Sequence, residues 1–144
     1  MRDRFFEFLG AEFLIVEPGH VEQRLIMRPE LLQRLGVLHG GIVAALVDDT
    51  LGRAANGYLD LEREVALTSH LDITYLGSAR EGIITVEGRV PRAGRTVLYG
   101  EATVSLRADE DAEPKVIARG SAILIRTQRR YEGGVSENKA DGNP

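Results

Sequence analysis

The chain has 144 residues, of which 43% are apolar and 28% are charged, and it contains three histidines and no cysteine. This length fits one domain with a single core, and the lack of cysteine excludes disulfides, thiolate zinc sites and a cysteine nucleophile. Eighteen basic against 22 acidic residues give a net charge of −4, which does not favour nucleic acid as a partner. We therefore expect chemistry that needs neither a metal nor a cofactor.

The pattern of apolar residues along the chain predicts neither a signal peptide nor a membrane-spanning segment. The opening MRDRFFEFLG lacks the apolar stretch of a signal peptide, and charged residues interrupt every apolar run well before about 18 residues. We expect a cytoplasmic protein without membrane contact. Residues 129–144 are polar and rich in glycine, which predicts a disordered tail after a single domain over residues 1–128.

Periodicity and turn residues predict the elements of the N-terminal half. An amphipathic helix is expected over residues 3–9, and strands over 12–17 and 20–27 form a hairpin around a Pro-Gly turn. A helical turn follows over residues 29–36 and stops at a glycine. The one long helix is predicted from Gly40 to Tyr58, where apolar residues recur at helical spacing.

From residue 64 onward the apolar pattern changes to period two, with strands predicted over 65–76, 82–90, 95–107 and 115–127. Short turns join these four strands, which predicts an antiparallel meander and excludes a parallel α/β fold. The predicted fold is α+β, with one long helix on a curved antiparallel sheet of five to six strands. Long open edges in such a sheet favour pairing between subunits, so we also predict a dimer.

Two glycines, Gly40 and Gly41, open the long helix. The first backbone N–H groups of a helix lack intrahelical acceptors and lie at the positive end of its dipole, and glycine allows a ligand to approach them closely. The pair can therefore polarise a carbonyl oxygen. The alternative, which two glycines alone do not exclude, is a tight turn from the loop into the helix.

Two carboxylates, Asp48 and Asp49, lie in the middle of this mostly apolar helix, where a charge is costly. Arg53 follows Asp49 by four residues, so a surface ion pair accounts for Asp49. Asp48 has no such cation and is a candidate for acid–base or nucleophilic chemistry.

Eight residues separate Gly40 from Asp48, which is about 12 Å along a helix. Both groups of one chain therefore cannot reach the same carbonyl. If two copies of the helix run antiparallel across a two-fold axis, the glycine end of one lies beside the middle of the other, and two shared sites form.

The pattern QxxGxxHGG over residues 33–41, followed by Asp48, resembles the signature of the hotdog-fold acyl-CoA thioesterases, in particular the PaaI-like (phenylacetate-degradation) group. The segment TxxxDITYL over residues 68–76 is similar to the strand that follows the helix in that family. The resemblance covers roughly residues 20–127. It implies a hotdog fold and hydrolysis of an acyl-CoA thioester between two protomers, in a homodimer that assembles further into a tetramer.

The resemblance also implies roles for individual residues. Asp48 would be the catalytic carboxylate, Gly40 N–H and the Gln33 side chain would hold the thioester oxygen, and Thr68 would help to position the attacking water. Gln33 departs from the family pattern, because the PaaI-like group commonly has asparagine at this position.

His39 and Gly41 belong to the same implied substrate site. His39 is expected to shape the loop through hydrogen bonds rather than to act as a base. His70 stands at a strand position where the family often has aspartate or asparagine, and we expect no effect of that departure on the chemistry.

Three arginines surround the predicted turn between the second and third strands of the meander: Arg89, Arg92 and Arg95. The resemblance places this turn near the nucleotide end of coenzyme A, where the paired donors of Arg92 and Arg95 suit phosphate. A solvated hairpin turn explains the same residues equally well.

Two other functions remain possible from the sequence. A non-catalytic acyl-CoA binder would use the same cleft, although it would not need an unpaired Asp48. A hotdog hydratase or dehydratase would need a histidine close to an acid, and the Asp-x₄-His arrangement that resembles such enzymes does not occur here with His39 and Asp48. The sequence favours a thioesterase.

Overall fold

The computed structural model describes residues 3–128, so the tail predicted for residues 129–144 lies outside the described residues. The long helix and the strands begin and end within two residues of their predicted positions. None of the helices within residues 3–128 is long and apolar enough to cross a membrane. The elements in chain order are α1 Arg4–Leu9, β1 Glu12–Glu17, β2 His20–Ile26, a 3₁₀ turn Pro29–Leu31, α2 Gly40–Asn56, β3 Glu64–Tyr75, β4 Ile83–Arg89, β5 Val97–Arg107 and β6 Lys115–Gln128.

The α+β architecture is confirmed, because α2 packs on one face of a six-stranded antiparallel sheet. The face of α2 that carries Leu46, Val47 and Leu51 is fully buried against the inner side of the sheet. Removal of these apolar side chains from water is what holds the helix on the sheet.

The prediction of a four-stranded meander is wrong for its first strand. The sheet order is β1-β2-β4-β5-β6-β3, so β3 pairs with β6 and not with β4. Both edges of β4 are taken, by β2 and β5, over seven residue pairs each. After β3 the chain leaves the sheet, with the N–H groups of Leu76 and Gly77 donating to Ile117 O. β3 is thereby left as an edge strand.

A bulge interrupts β3 at Ser69, where the pairing with β6 shifts between Thr68 and His70. The period-two pattern that the sequence predicts without interruption therefore changes phase within the strand. Thr68 before the bulge and Leu71 and Ile73 after it all face α2. An extra residue of this kind redirects side chains, and here it directs Thr68 toward the helix.

Asn56 ties the last turn of α2 to β3. Its Nδ2 donates to Ala66 O at 3.0 Å and to Gly52 O at 2.8 Å, and its Oδ1 accepts from Ala66 N at 2.8 Å. The two hydrogen bonds to Ala66 hold the start of β3 beside the last turn of α2. The sequence marks Asn56 only as one of the polar positions of the helix.

Replacing Asn56 with alanine should lower the free energy of unfolding by about 1–3 kcal/mol, because the buried backbone groups of Ala66 lose their partners. Urea denaturation measures this change. Gln128→Ala is the matched control, since it removes an exposed amide that donates to Glu64, and it should change the free energy by less than about 0.5 kcal/mol. Equal effects of the two variants would contradict the role of Asn56.

Candidate active site

Backbone hydrogen bonds fix the conformation of the loop before α2. Instead of one helical turn over residues 29–36, the chain forms the short 3₁₀ turn and then a separate turn in which Gly36 N donates to Gln33 O. Gly36 has φ +71°, a conformation that favours glycine. Leu38 N and His39 N donate to Ala79 O and Leu31 O, so the residue before the helix has a defined position.

Within the described part of the chain, Gly40 supplies the one N–H of the first turn of α2 that has no acceptor. His39 is the N-cap, and its Nδ1 accepts from Gly41 N at 2.9 Å. Ile42 N and Val43 N both donate to His39 O. No described residue accepts a hydrogen bond from Gly40 N–H, so the positive end of the helix dipole is presented through that donor. The cap requires the neutral His39 tautomer with its proton on Nε2.

Tyr75 holds the other side of the same glycine. Its hydroxyl donates to Gly40 O at 2.6 Å, and its ring would lie 3.3 Å from a Cβ at Gly40. Because His39 holds Gly41 N–H, both the C=O and the N–H of the Gly40–Gly41 peptide are restrained. In the sequence, Tyr75 is recognisable only as part of the TxxxDITYL motif. Its contact with Gly40 has no local signal, because 35 residues separate the two.

Gln33 shares a cleft with this donor. The residues that line the cleft are Gln33, Arg34, His39 and Gly40. Gln33 Oε1 accepts from Leu35 N at 2.7 Å, which fixes the amide, and within residues 3–128 nothing accepts from its Nε2. The cleft therefore offers a side-chain NH₂ and a backbone N–H to an incoming oxygen.

The two aspartates of α2 differ in their partners. Asp49 forms the predicted pair with Arg53 at 3.0 Å. The Asp49 side chain is only 12% exposed, so its carboxylate is more buried than a surface ion pair implies. Burial raises the pKa of Asp49, and the hydrogen bond from Arg53 opposes that rise. Asp48 Oδ1 is buried and has no hydrogen-bond partner among the described residues.

Asp48 and Thr68 line a second cleft, between α2 and the start of β3. The other residues of this cleft are Asp49, Gly52, Arg53, Asn56, Leu61, Val65, Ala66 and Leu67. A Cβ built on Gly52 would meet nothing within 4 Å, so the cleft is open beside Asp48. Gly40 and Gln33 do not line it, so one copy of the chain presents the predicted groups as two separate halves.

Arg92 and Arg95 lie in the β4–β5 loop near the C-terminal end of α2. Tyr58, which follows α2, donates to Val90 O at 2.9 Å and holds the loop there. Both arginines are exposed and form no ion pair with any residue in 3–128, whereas Arg89 pairs with Glu87 at 2.7 Å. Along α2, the loop therefore lies beyond Asp48, at the end of the helix opposite to Gly40.

Comparison with known proteins agrees with this geometry. The family model for the thioesterase superfamily matches residues 35–113. A Saccharolobus solfataricus protein named "Putative esterase SSO2140" is 34% identical over 126 residues, covering 88% of this chain and 86% of its own. The 1,4-dihydroxy-2-naphthoyl-CoA hydrolase of Listeria monocytogenes is 23% identical over 124 residues, covering 86% of this chain and 97% of its own.

A solved structure shows the same arrangement of helix and sheet. The thioesterase family protein from Silicibacter pomeroyi superposes with a TM-score of 0.80 at 30% identity, covering 89% of this chain and 92% of that chain. Helix α2 and three of the six strands, β3, β4 and β5, fall within the matched family region. The chain therefore belongs to the thioesterase superfamily, has the hotdog fold, and is a thioester hydrolase.

Proposed function

We propose that this protein hydrolyses an acyl-CoA thioester to the free acid and CoA, as a member of the PaaI-like group. The observation that carries the proposal is the buried Oδ1 of Asp48, which has no partner in the described part of the chain. A carboxylate that no cation neutralises is available as a base or as a nucleophile. The CoA thioester named as the substrate of the Listeria relative supports CoA as the leaving group.

The separation of the two clefts supports a site shared by two subunits. Gly40 and Asp48 line different clefts of one chain, and an antiparallel two-fold packing of α2 would bring one of each together. β3 is the last strand of the sheet, so its outer edge is available for such pairing, and Leu67 on it is 58% exposed. A long exposed edge favours pairing with a second copy. We propose a homodimer built along β3 that assembles into a tetramer.

In this site the charge that develops on the thioester oxygen is met by Gly40 N–H and by the Gln33 amide. Asp48 of the partner subunit either takes a proton from water held by Thr68, whose oxygen bonds to the carbonyl carbon, or attacks that carbon itself and forms an anhydride that water then hydrolyses. The C–S bond breaks, and the thiolate leaves as CoA. His39 and Gly41 support the site through the N-cap hydrogen bond, which already occupies Gly41 N–H.

The nucleotide end of CoA is assigned to the loop with Arg92 and Arg95. Both guanidinium groups are exposed, and no described carboxylate pairs with them. Arginine binds phosphate oxygens through paired N–H donors. In this assignment the CoA arm runs from Asp48 along the second half of α2 toward the loop.

The direct test is release of free CoA thiol from acyl-CoAs with short, medium, long and aromatic acyl groups, followed with a thiol reagent. We expect turnover of at least one class, and the same rate after treatment with a metal chelator. If the protein binds acyl-CoA and releases no thiol from any of them, it is a binding protein and the proposal is wrong.

Tyr75→Phe should lower kcat by about three- to tenfold, because Gly40 O loses the hydroxyl that holds this residue in place, and the N–H of the same residue is the proposed donor. Tyr99→Phe is the matched control, since the Tyr99 hydroxyl donates to Glu101 on the sheet surface, and its kcat should stay within about twofold. The carbonyl stretch of a bound ketone analogue, in which CH₂ replaces the thioester sulfur, should move toward its free value only in Tyr75→Phe. An unchanged stretch would contradict the orienting role.

A further inference from the structure

A small apolar cavity lies directly beside Gly40, between the first turn of α2 and the ends of β3 and β6. It has a volume of about 150 Å³. Its walls include Val37, Leu38, Val43, Tyr75, Ile117 and Ala118. None of the residues that line it is charged, whereas the clefts around Gln33 and Asp48 contain Arg34 and Arg53.

Gly40 lines both this cavity and the cleft of Gln33. A carbonyl bound at Gly40 N–H therefore lies next to the cavity. A thioester carbonyl has two arms, an apolar acyl group and the polar pantetheine and nucleotide of CoA. Burying the acyl arm in an apolar cavity is favourable, while burying the CoA arm there would leave its amides and phosphates without partners.

We infer that this cavity is the subsite for the acyl group and that its size limits the enzyme to compact acyl groups of about six carbons or a single ring. The inference rests on the proposed function, because it takes Gly40 N–H as the donor to the thioester oxygen. An apolar cavity of about 150 Å³ accepts one benzene-sized molecule, and the volume here has the same magnitude.

The cleft of Asp48 is the competing location for the acyl group. It is lined by the charged side chains of Asp48, Asp49 and Arg53, and Leu61 at its side is 49% exposed. An acyl chain there would remain partly in water beside charges. The cleft instead extends toward the end of α2 where Arg92 and Arg95 lie, which suits the CoA arm.

The experiment measures kcat/KM for straight-chain acyl-CoAs from two to sixteen carbons and for benzoyl- and phenylacetyl-CoA. For the wild type we expect an increase of about fourfold for each methylene that enters the cavity. The increase should end near six carbons, and longer chains should react more slowly. A rise that continues beyond ten carbons would overturn the size limit.

Variants of the cavity wall locate the subsite. Val43→Ala widens it and should move the optimum to chains longer by one or two carbons, while Ala79→Val, which narrows it, should move the optimum to shorter chains. Val47→Ala is the matched control: it is the same truncation one turn later in α2, fully buried and outside the cavity. It should cost similar stability and leave the optimum unchanged.

The outcomes separate this inference from the proposed function. Absence of turnover with every acyl-CoA in the wild type contradicts the proposed function itself. Turnover with an optimum that neither Val43→Ala nor Ala79→Val moves overturns the cavity as the acyl subsite and leaves the proposed function standing. If Leu61→Ala shifts the optimum and the two cavity variants do not, the acyl group lies in the cleft of Asp48.

Discussion

Asp48→Asn should lower kcat by about 10²–10⁴, the usual loss when a catalytic acid–base group is removed, while the protein stays folded. Asparagine has nearly the same shape as aspartate but cannot take a proton from water or attack a carbonyl carbon. The buried Oδ1 has no partner in the described chain, so the substitution breaks no ion pair there. Steady-state kinetics with thiol detection, together with a thermal melt, measure both quantities.

The neighbouring carboxylate provides the control. Asp49→Asn changes the same group one residue along the helix, but Asp49 pairs with Arg53 and is assigned no part in the reaction. Its kcat should fall by less than about tenfold. If the two variants lose activity equally, Asp48 is not distinguished from a structural charge, and its catalytic assignment fails.

The two possible roles of Asp48 differ in where the oxygen of water ends. A single turnover in heavy-oxygen water places label only in the acid product if Asp48 is a general base. A nucleophilic Asp48 forms an anhydride, and its hydrolysis can place label in the aspartate side chain. Mass spectrometry of the peptide that contains Asp48 distinguishes the two.

Gly40→Pro should lower kcat by about 10²–10³, the range observed when one oxyanion donor is removed. Proline removes the backbone N–H and is well tolerated as the first residue of a helix. His39 before it has φ −64° and ψ 126°, an extended conformation compatible with a following proline. The substitution therefore removes the N–H of the helix start that has no acceptor within residues 3–128, with a small change in the backbone.

Gly40→Ala is the control for the added side chain. Alanine keeps the N–H and introduces the same Cβ, which would lie 3.3 Å from the Tyr75 ring. Any loss in this variant measures the steric effect, and we expect it to be less than about tenfold. If Gly40→Pro is as active as Gly40→Ala, the backbone N–H does not hold the thioester oxygen.

Mixing the two inactive variants tests the shared site. A dimer of one Asp48→Asn chain and one Gly40→Pro chain has one site with both native groups and one with neither. After random subunit exchange half of the dimers are mixed, so about a quarter of the wild-type activity should return. Sites contained within one chain would stay inactive in every combination.

The elements of this fold depend on local signals and were predictable. A Pro-Gly turn between two alternating runs marks the β1–β2 hairpin, and the glycine pair at Gly40 marks the start of α2. The order of strands was not predictable in the same way. Short turns favour pairing of sequence neighbours, but β2 competes with β3 for the edge of β4 and pairs with it over seven residue pairs.

The candidate site likewise contains features that the sequence predicts and features that only the tertiary structure shows. The spacing of residues on one helix identified Asp48 as the carboxylate without a cation. It also showed that Gly40 and Asp48 of one chain are too far apart to contact the same carbonyl. The phase change at Ser69, which directs Thr68 toward α2, has no local signal in the alternating pattern. The hydrogen bonds of Asn56 to β3 likewise depend on how helix and sheet meet.

The sequence by itself determined that the chain has no cysteine, and it predicted an α+β fold with a glycine pair at the start of a long helix and, in the middle of that helix, an acid without a cation four residues away. Those properties follow from composition and from spacing within one element. The tertiary structure decided that β3 is an edge strand, that Tyr75 holds Gly40 O while no described residue accepts from Gly40 N–H, and that an apolar cavity adjoins Gly40. Each of these depends on contacts between residues distant in the chain, which form only when competing strand pairings and the packing of the helix are settled together.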